Sequence, residues 1–223
     1  MLVLKSFTPV YRDAELFARW VELAAFMPVF RTHEGAYPPG NVQHDSAPHV
    51  LAHFALMAAV HRAWAPLRRE LVAEAAVTGA PIMRHLFIHF PDDQVAAGIE
   101  TQFMLGPDML VAPVLQPCFA ALRGGGCRHR VYLPAGCWTP LAWRAAPAAP
   151  QTTCRASGEW VMIDAPLGAP PVFYSGKSVH GARLQVAVAK ELRERCAAGA
   201  TADAAFACAH AGIAAQPPPR GEL

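Results

Sequence analysis

The sequence predicts an α/β segment followed by an antiparallel β-sandwich, and two changes of pattern along the chain indicate this division. Residues 1–80 have the three- and four-residue apolar spacing of helices, with one short apolar run between them. Residues 81–180 contain short apolar runs separated by Pro, Gly and Asp, which is the pattern of a β-sandwich. Residues 181–223 are rich in alanine and proline, and we expect a helical and then disordered tail.

Composition limits the class of protein. The 223 residues are 53% hydrophobic and 16% charged, so the chain can form a packed core. The formal net charge of +2 disfavours a nucleic-acid partner, and no run approaches the roughly 20 apolar residues that span a bilayer. The N-terminus lacks the features of a secretory signal, and the six cysteines form no C-x-x-C pair. We therefore expect a cytoplasmic protein with free thiols, no metal site and no membrane contact.

The first predicted helix follows Asp13, whose carboxylate can accept hydrogen bonds from the free N–H groups of the first turn. Leu16, Trp20 and Leu23 recur at helical spacing. We expect these three side chains to form the apolar stripe that packs against the rest of the protein. The apolar run Phe26–Arg31 comes next and is predicted to be a buried strand.

A long helix is predicted from Val50 to Gly79, with a kink or a junction of two helices at Pro66. Helix, buried strand and helix in succession are typical of an α/β architecture with a parallel sheet. A (β/α)8 barrel takes roughly 250 residues, so residues 1–80 can supply about one of its strands with two helices. Because a lone strand leaves its edges and faces without partners, we expect residues 1–80 to be the C-terminal end of an incomplete TIM barrel.

The second region contains short apolar runs that predict antiparallel strands. Each run is bounded by turn-forming residues, as expected between the strands of a sandwich. The predicted strands are Ile82–Phe90, Met109–Val114, Arg130–Leu133, Trp160–Ile163 and Val172–Tyr174. Beyond them a helix is predicted over Leu184–Leu192, and Pro217–Pro219 should end the ordered chain.

Three other patterns in this region could carry chemistry, and each has a simpler interpretation. His85 and His89 lie four residues apart in a predicted strand and could bind a metal, but no third ligand is evident. Gly124–Gly126 could form a phosphate cradle, but it lacks the Lys and Ser/Thr of such loops, which favours a flexible hairpin. Neither a metal nor a cofactor is therefore predicted. Four aromatic residues could form a sugar-stacking platform, although their strand positions favour the sandwich core: Trp138, Trp143, Trp160 and Tyr174.

Four segments of the sequence form a specific ordered set. They are Glu15–Trp20 followed by Pro28–Gly35, then Leu105–Val114, Val131–Trp138 and Ala165–Tyr174. In this order, over residues 12–176, they resemble glycoside hydrolase family 31, which contains α-glucosidases, α-xylosidases and sulfoquinovosidases. The form Thr32-His33-Glu34-Gly35 is similar to the sulfoquinovosidase-type branch, since ordinary α-glucosidases usually have Asn-His-Asn there.

The resemblance implies that the chain is the C-terminal portion of a retaining α-glycosidase acting on an α-glycoside or a sulfoquinovoside. It implies that His33 donates to sugar hydroxyls in the −1 subsite. Arg31 would pair with carboxylates of the missing N-terminal barrel portion, or else be a surface arginine. Glu34 or Arg31 would orient the His33 ring, and the alternative for His33 is a ring that bonds only to loop carbonyls. The family's catalytic aspartates lie before this segment, so no catalytic residue is predicted in this chain.

From the residues alone, Glu34 and Asp45 are the nearby candidates for a catalytic pair. Retaining glycosidases need two carboxyl groups about 5–5.5 Å apart, and the intervening Pro38–Gly40 fixes no such distance. Exposed loop charges are the favoured interpretation, and we expect the isolated chain to be inactive. The alternative is an inactive remnant, or a module that binds sugar together with a partner supplying the rest of the barrel.

Overall fold

The computed structural model describes residues 12–34, 38–116, 127–143 and 151–197, which form helices and two antiparallel sheets. The helices are α1 (Ala14–Ala24), α2 (Pro48–Ala63), α3 (Ala65–Thr78), α4 (Gln94–Ala97) and α5 (Val179–Ala197). The strands are β1 (Met83–Arg84), β2 (Phe103–Leu105), β3 (Met109–Val111), β4 (Arg128–Leu133), β5 (Gly136–Pro140), β6 (Thr153–Arg155), β7 (Glu159–Asp164) and β8 (Val172–Ser175).

Helix α1 begins where the sequence predicts, but it buries a different face. Asp13 Oδ1 accepts a hydrogen bond from the Leu16 N–H at 2.8 Å, which confirms the predicted cap. The predicted stripe is wrong, because Trp20 is 60% exposed and Leu16 is 38% exposed, whereas Phe17 and Val21 are buried. Successive helical positions are rotated by 100°, so Phe17 and Val21 lie on the face next to that of Leu16 and Trp20. Both faces of α1 are apolar, and tertiary packing against α2 buries the one with Phe17 and Val21.

The predicted break in the long helix is confirmed. Helices α2 and α3 meet at Trp64 with a bend of 52°, and Pro66 lies in the first turn of α3, where a missing N–H costs no helical hydrogen bond. Gly79 ends α3 with φ of 76°, a left-handed conformation that glycine adopts readily. Among the described residues, no single helix is long and apolar enough to cross a membrane; α2 and α3 together meet that length and composition only as a bent pair.

The segment Phe26–Arg31 is not a strand. Phe26 is fully buried, but the backbone from residue 25 to residue 29 forms turns and bends, and Val29 is 66% exposed. A strand is defined by ladder hydrogen bonds to a neighbour, and none of the described strands adjoins this segment. The expectation that residues 1–80 belong to a barrel therefore stays a prediction.

The β-rich half consists of a six-stranded sheet of order β1-β2-β3-β8-β5-β6 and a separate two-stranded sheet of β4 and β7, all antiparallel. The predictions for β4, β7 and β8 are confirmed within one or two residues at each end. Helix α5 likewise extends the predicted Leu184–Leu192 in both directions. Gly124–Gly126 and Pro217–Pro219 lie outside the described residues.

The prediction of a nine-residue strand over Ile82–Phe90 is wrong beyond its first third. Only Met83–Arg84 pairs in the sheet, and Leu86–Ile88 forms a 3-10 turn. His85 causes this change, because its Nδ1 accepts a hydrogen bond from the Phe87 N–H at 3.2 Å and caps the turn. The alternating apolar pattern of a strand cannot reveal such a side-chain cap.

The six-stranded sheet is covered on both faces. Alternate residues along β2, β3 and β8 point to opposite sides, as the period of two requires. One face packs against the small β4–β7 sheet through Met104, Leu110, Trp138 and Phe173. The other packs against α1, α2, α3 and α5 through Leu105, Met109, Val111, Val172 and Tyr174. The chain is thus a layer of helices, a central sheet and a small second sheet.

The expectation of free thiols is wrong for Cys127, Cys137 and Cys154, which are all disulfide-bonded. Cys137 on β5 and Cys154 on β6 are directly paired in the sheet register and form a disulfide. The two residues are 17 positions apart in the sequence with no recognised motif between them. Only the pairing of two strands that the sequence did not predict brings their sulfur atoms together.

Candidate functional site

The predicted sugar-binding residues lie together on the surface after α1. Arg31, His33 and Glu34 are all exposed, in the irregular segment that follows the buried Phe26. Their proximity comes from sequence adjacency, whereas the position of the segment on the protein depends on contacts made by its backbone and by Phe30.

Arg12 is the main residue that holds this segment. Its Nη1 donates to the backbone carbonyl of His33 at 3.0 Å, and its Nε donates to the carbonyl of Val42 at 2.9 Å. Its Nη2 donates to Gln43 Oε1 at 3.0 Å, so one planar guanidinium joins the His33 backbone to the loop before α2. Sequence reasoning missed Arg12, since nothing in its position before a helix cap predicts a role.

Gln43 completes this connection from the opposite side. Its Nε2 donates to the carbonyl of Glu34 at 3.1 Å, while its Oε1 accepts from Arg12. The two consecutive carbonyls of His33 and Glu34 are therefore both occupied by side-chain donors. The backbone of His33 and Glu34 is therefore held by hydrogen bonds, while the side chains of both residues are exposed.

Phe30 anchors the same segment to α2. Its ring centroid lies 5.1 Å from that of Phe54 and 5.4 Å from that of His61. Burial, with a further contribution from the Arg68 charge, lowers the pKa of His61, so the imidazole packed against Phe30 is neutral at pH 7. A neutral ring in this aromatic cluster avoids placing an unpaired charge beside Phe30.

A buried ion pair connects α1 to the β-rich half. Arg19 is 6% exposed and Glu22 is 1% exposed, and Arg19 Nη1 donates to Glu22 Oε2 at 2.9 Å. Arg19 Nη2 also donates to the carbonyl of Ala165 at 2.9 Å, and Glu22 Oε1 accepts from the Gly168 N–H at 2.6 Å. We call this set the α1 latch: Arg19, Glu22, Ala165 and Gly168.

The α1 latch joins the start of the segment Ala165–Tyr174 to helix α1. Gly168 has φ of 85°, the left-handed conformation that turns its N–H toward Glu22. His53 of α2 closes the same site, with Nε2 at 3.1 Å from the Ala18 carbonyl and 3.9 Å from Glu22 Oε1. Burial lowers the pKa of His53, although the Glu22 charge acts in the opposite direction.

The other candidates from the sequence are two histidines, His85 and His89, and two carboxylates, Glu34 and Asp45. His85 and His89 do not share one strand face, since the 3-10 turn separates them; His89 Nε2 instead lies 3.3 Å from Arg84 Nη1. Burial and the Arg84 charge lower the pKa of His89. No cluster of three metal-ligating side chains occurs in the part of the chain that the structure describes. Glu34 and Asp45 are both exposed, as expected of loop charges.

Three of the four aromatic residues that could have formed a sugar platform are core or near-core residues. Trp138 and Tyr174 are 4% and 5% exposed. The Nε1–H of Trp143 donates to the carbonyl of Pro170 at 2.8 Å. Trp160 is the exception at 39% exposure, and it faces outward from β7.

Comparison with known proteins agrees with this architecture. Residues 79–179 match the family model described as the glycosyl hydrolase family 31 C-terminal domain. The sulfoquinovosidases of Agrobacterium fabrum and Escherichia coli are 42% and 39% identical over 170 and 167 residues, which is 76% and 75% of this chain. A solved family 31 sulfoquinovosidase from E. rectale, in complex with an aza-sugar inhibitor, superimposes with a TM-score of 0.69 at 32% identity over 81% of this chain.

A central sheet held between helices and a small second sheet, with these relatives, defines the C-terminal region of a glycoside hydrolase. The chain belongs to glycosyl hydrolase family 31, whose C-terminal domain it carries at residues 79–179. It spans only 23% and 22% of the length of the two sulfoquinovosidases and 25% of the solved structure. The match extends over more of the chain than the domain alone, so part of the preceding region is also similar to these proteins.

Proposed function

We propose that this chain forms the C-terminal part of a retaining α-glycosidase, and that it contributes His33 to the binding of the sugar. The observation that carries the proposal is the segment around His33: its backbone carbonyls are held by Arg12 and Gln43 while its side chains are exposed. A site that binds substrate needs groups fixed by their surroundings and yet open to a ligand. The matched relatives named sulfoquinovosidases support a sulfoquinovoside as the substrate.

Each exposed side chain has a proposed role. The His33 imidazole donates a hydrogen bond to a sugar hydroxyl, because a neutral imidazole carries one N–H donor and one acceptor. Glu34 accepts from the other ring nitrogen or from the sugar, and the Arg31 guanidinium pairs with a carboxylate of the remaining barrel. These roles make binding contributions and supply no nucleophile.

The two carboxyl groups of a retaining mechanism must come from outside the described residues. One carboxylate attacks the anomeric carbon, and the other protonates the departing oxygen and then activates water, with about 5–5.5 Å between them. The most buried carboxylate described, Glu22, is already fully engaged by Arg19 and Gly168 and does not face an open cleft. We therefore expect the chain alone to hydrolyse no glycoside.

A complementation assay tests the proposal. The chain is co-expressed with the N-terminal portion of the E. coli sulfoquinovosidase that lacks the matching C-terminal region, and hydrolysis of an aryl sulfoquinovoside is measured. We expect turnover only when both parts are present, and a loss of at least tenfold in kcat/KM with His33→Ala. The control is His180→Ala, which removes a partly buried histidine paired with Glu70 on another surface and should leave turnover unchanged.

Two outcomes would contradict the proposal. Turnover by the purified chain alone, sensitive to His33→Ala, would show that the catalytic carboxylates lie within it. A complex of the two parts that forms but never hydrolyses the glycoside would favour the alternative, an inactive module that binds sugar or a partner. That alternative is supported by the small share of each relative that the chain spans.

A further inference from the structure

The outward face of the β4–β7 sheet combines features that the proposed function does not use. Along β4, Arg128 and Arg130 are exposed on one side, while Val131 packs inward. Along β7, Trp160 is 39% exposed and Met162 is 49% exposed on the same side. We call this surface the arginine–tryptophan face and define it as Arg128, Arg130, Trp160, Met162 and Asp164.

The register brings these side chains next to one another. Arg128 is paired with Asp164 and Arg130 with Met162 across the two strands. The guanidinium of Arg130 stacks on the Trp160 ring, with its central carbon 4.2 Å from the ring centroid. This cation–π contact holds the guanidinium flat on an apolar support and fixes the direction of its N–H donors.

Within the described residues, the charged groups of this face have no ion-pair or hydrogen-bond partner for their side chains. Across residues 12–34, 38–116, 127–143 and 151–197, Arg128, Arg130 and Asp164 form no ion pair and no side-chain hydrogen bond. Glu159 of β7 shows the contrast, because it pairs with Arg155 at the end of β6 at 2.6 Å. An exposed arginine with an opposing carboxylate normally pairs loosely with it or with water, so both donors and the acceptor stay available to a ligand.

The spacing indicates the kind of ligand. Two residues apart on one face of a strand corresponds to about 6.6 Å, so Arg128 and Arg130 present two groups of donors in line. Trp160 and Met162 supply an apolar surface beside them, which suits the C–H face of a sugar ring. Asp164 supplies an acceptor on the same surface, which suits hydroxyl groups that can donate to it.

We propose that the arginine–tryptophan face binds an anionic oligosaccharide, with its acidic groups on the two arginines, a ring on Trp160 and a hydroxyl donating to Asp164. An anionic oligosaccharide can place its acidic groups on the arginines and a hydroxyl on Asp164, whereas a nucleic-acid backbone carries a phosphate at every unit and would place one against Asp164. A neutral sugar would provide no negative charge to pair with the two guanidinium groups. This proposal does not depend on the identity of the hydrolysed glycoside.

Calorimetric titration of the full chain tests the proposal. The probes are a tetrasaccharide that contains glucuronate at alternate residues, a neutral maltotetraose of the same length, and a single-stranded tetranucleotide. We expect binding of the glucuronate tetrasaccharide with millimolar or tighter affinity, at least tenfold weaker binding of the other two, and weakening with added salt.

Variants locate the binding to this face. Trp160→Ala and Arg130→Gln should each weaken binding of the glucuronate tetrasaccharide at least fivefold. The matched controls are Trp20→Ala, another tryptophan that is 60% exposed, and Arg183→Gln, another exposed arginine on α5; both should bind normally. Circular dichroism melting curves are recorded for every variant, and loss of binding counts only where the fold is retained.

Three results would overturn the proposal. The first is no heat of binding with the tetrasaccharide at ten millimolar. The second is binding that Trp160→Ala and Arg130→Gln, both folded, leave unchanged. The third is equal binding of the tetranucleotide, which would assign the face to polyanions in general. If either face variant does not fold, Trp160→Phe and Arg130→Lys replace them, with a smaller loss of affinity expected in the same direction.

Discussion

Removing the charge of Glu22 is the sharpest test of how the two halves of the molecule are joined. Glu22 is 1% exposed, and its two oxygens accept from Arg19 at 2.9 Å and from Gly168 at 2.6 Å. In Glu22→Gln the shape is kept, but the Arg19 guanidinium is left buried without a counter-charge. Breaking one partner of a buried pair costs about 3–5 kcal/mol.

Urea denaturation followed by circular dichroism measures this loss. With a slope of about 2–3 kcal/mol per molar urea for a protein of this size, the unfolding midpoint should fall by about 1–2.5 M. The control is Glu159→Gln, which removes a 59% exposed carboxylate paired with Arg155 at 2.6 Å. That exposed pair should contribute less than about 1 kcal/mol.

The double variant Arg19→Met with Glu22→Leu separates the two explanations of such a loss. If the cost comes from an uncompensated buried charge, replacing both partners by apolar side chains should restore most of the stability. The reasoning is refuted if Glu22→Gln costs less than about 1 kcal/mol by this measurement. A double variant less stable than Glu22→Gln would equally contradict it.

Three further predictions concern pH, the disulfide and one turn. Burial lowers the pKa of His53 below its usual 6.5, so the folded state binds fewer protons than the unfolded state. The contribution of His53 to stability is therefore full above about pH 6.5 and is lost as the pH falls through the lowered pKa. Melting curves from pH 7 to pH 5 should show this loss of stability, and the loss should be smaller in His53→Gln. Replacing Cys137 and Cys154 together by Ser removes a bond between residues 17 positions apart and should cost about 3 kcal/mol in urea titration. Because Cys127 is also disulfide-bonded, the comparison is made without reductant, and an unchanged unfolding midpoint would contradict this prediction. Intact mass of protein taken from cells in the presence of a thiol-blocking reagent tests the expected reducing compartment, which a persistent bond would contradict. Gly168→Ala, at φ of 85°, should cost about 1–2 kcal/mol in urea titration. The control Gly98→Ala should be nearly neutral, because an added Cβ there meets only ordinary contacts at 3.7 Å. Equal losses in the two variants would show that the left-handed backbone of Gly168 is not the cause.

Local signals in the sequence predict local structure well. The Asp13 cap, the junction at Pro66 and the stop at Gly79 each depend on one residue whose backbone chemistry is decisive. The strands β4, β7 and β8 were found for a similar reason, since their apolar residues are bounded by turn-forming ones.

The sequence did not show which surfaces of the helices and strands pack against each other. Which face of α1 is buried depends on the Arg19–Glu22 pair and on its partners about 146 positions later, which no periodicity reveals. The short strands β2 and β6 have three residues each, so they lack a period long enough to recognise. His33 was located through a resemblance, whereas the groups that hold it were found only through their contacts in the structure.

The central sheet has a consequence for how this protein can be divided. Its helix-side surface, formed by Leu105, Met109, Val111, Val172 and Tyr174, is covered by helices that precede residue 79 and by α5. The unit that buries this surface of the sheet is therefore longer than the matched domain at residues 79–179. A chain trimmed to residues 79–179 would expose this surface to water, and we expect it to precipitate or to associate with itself.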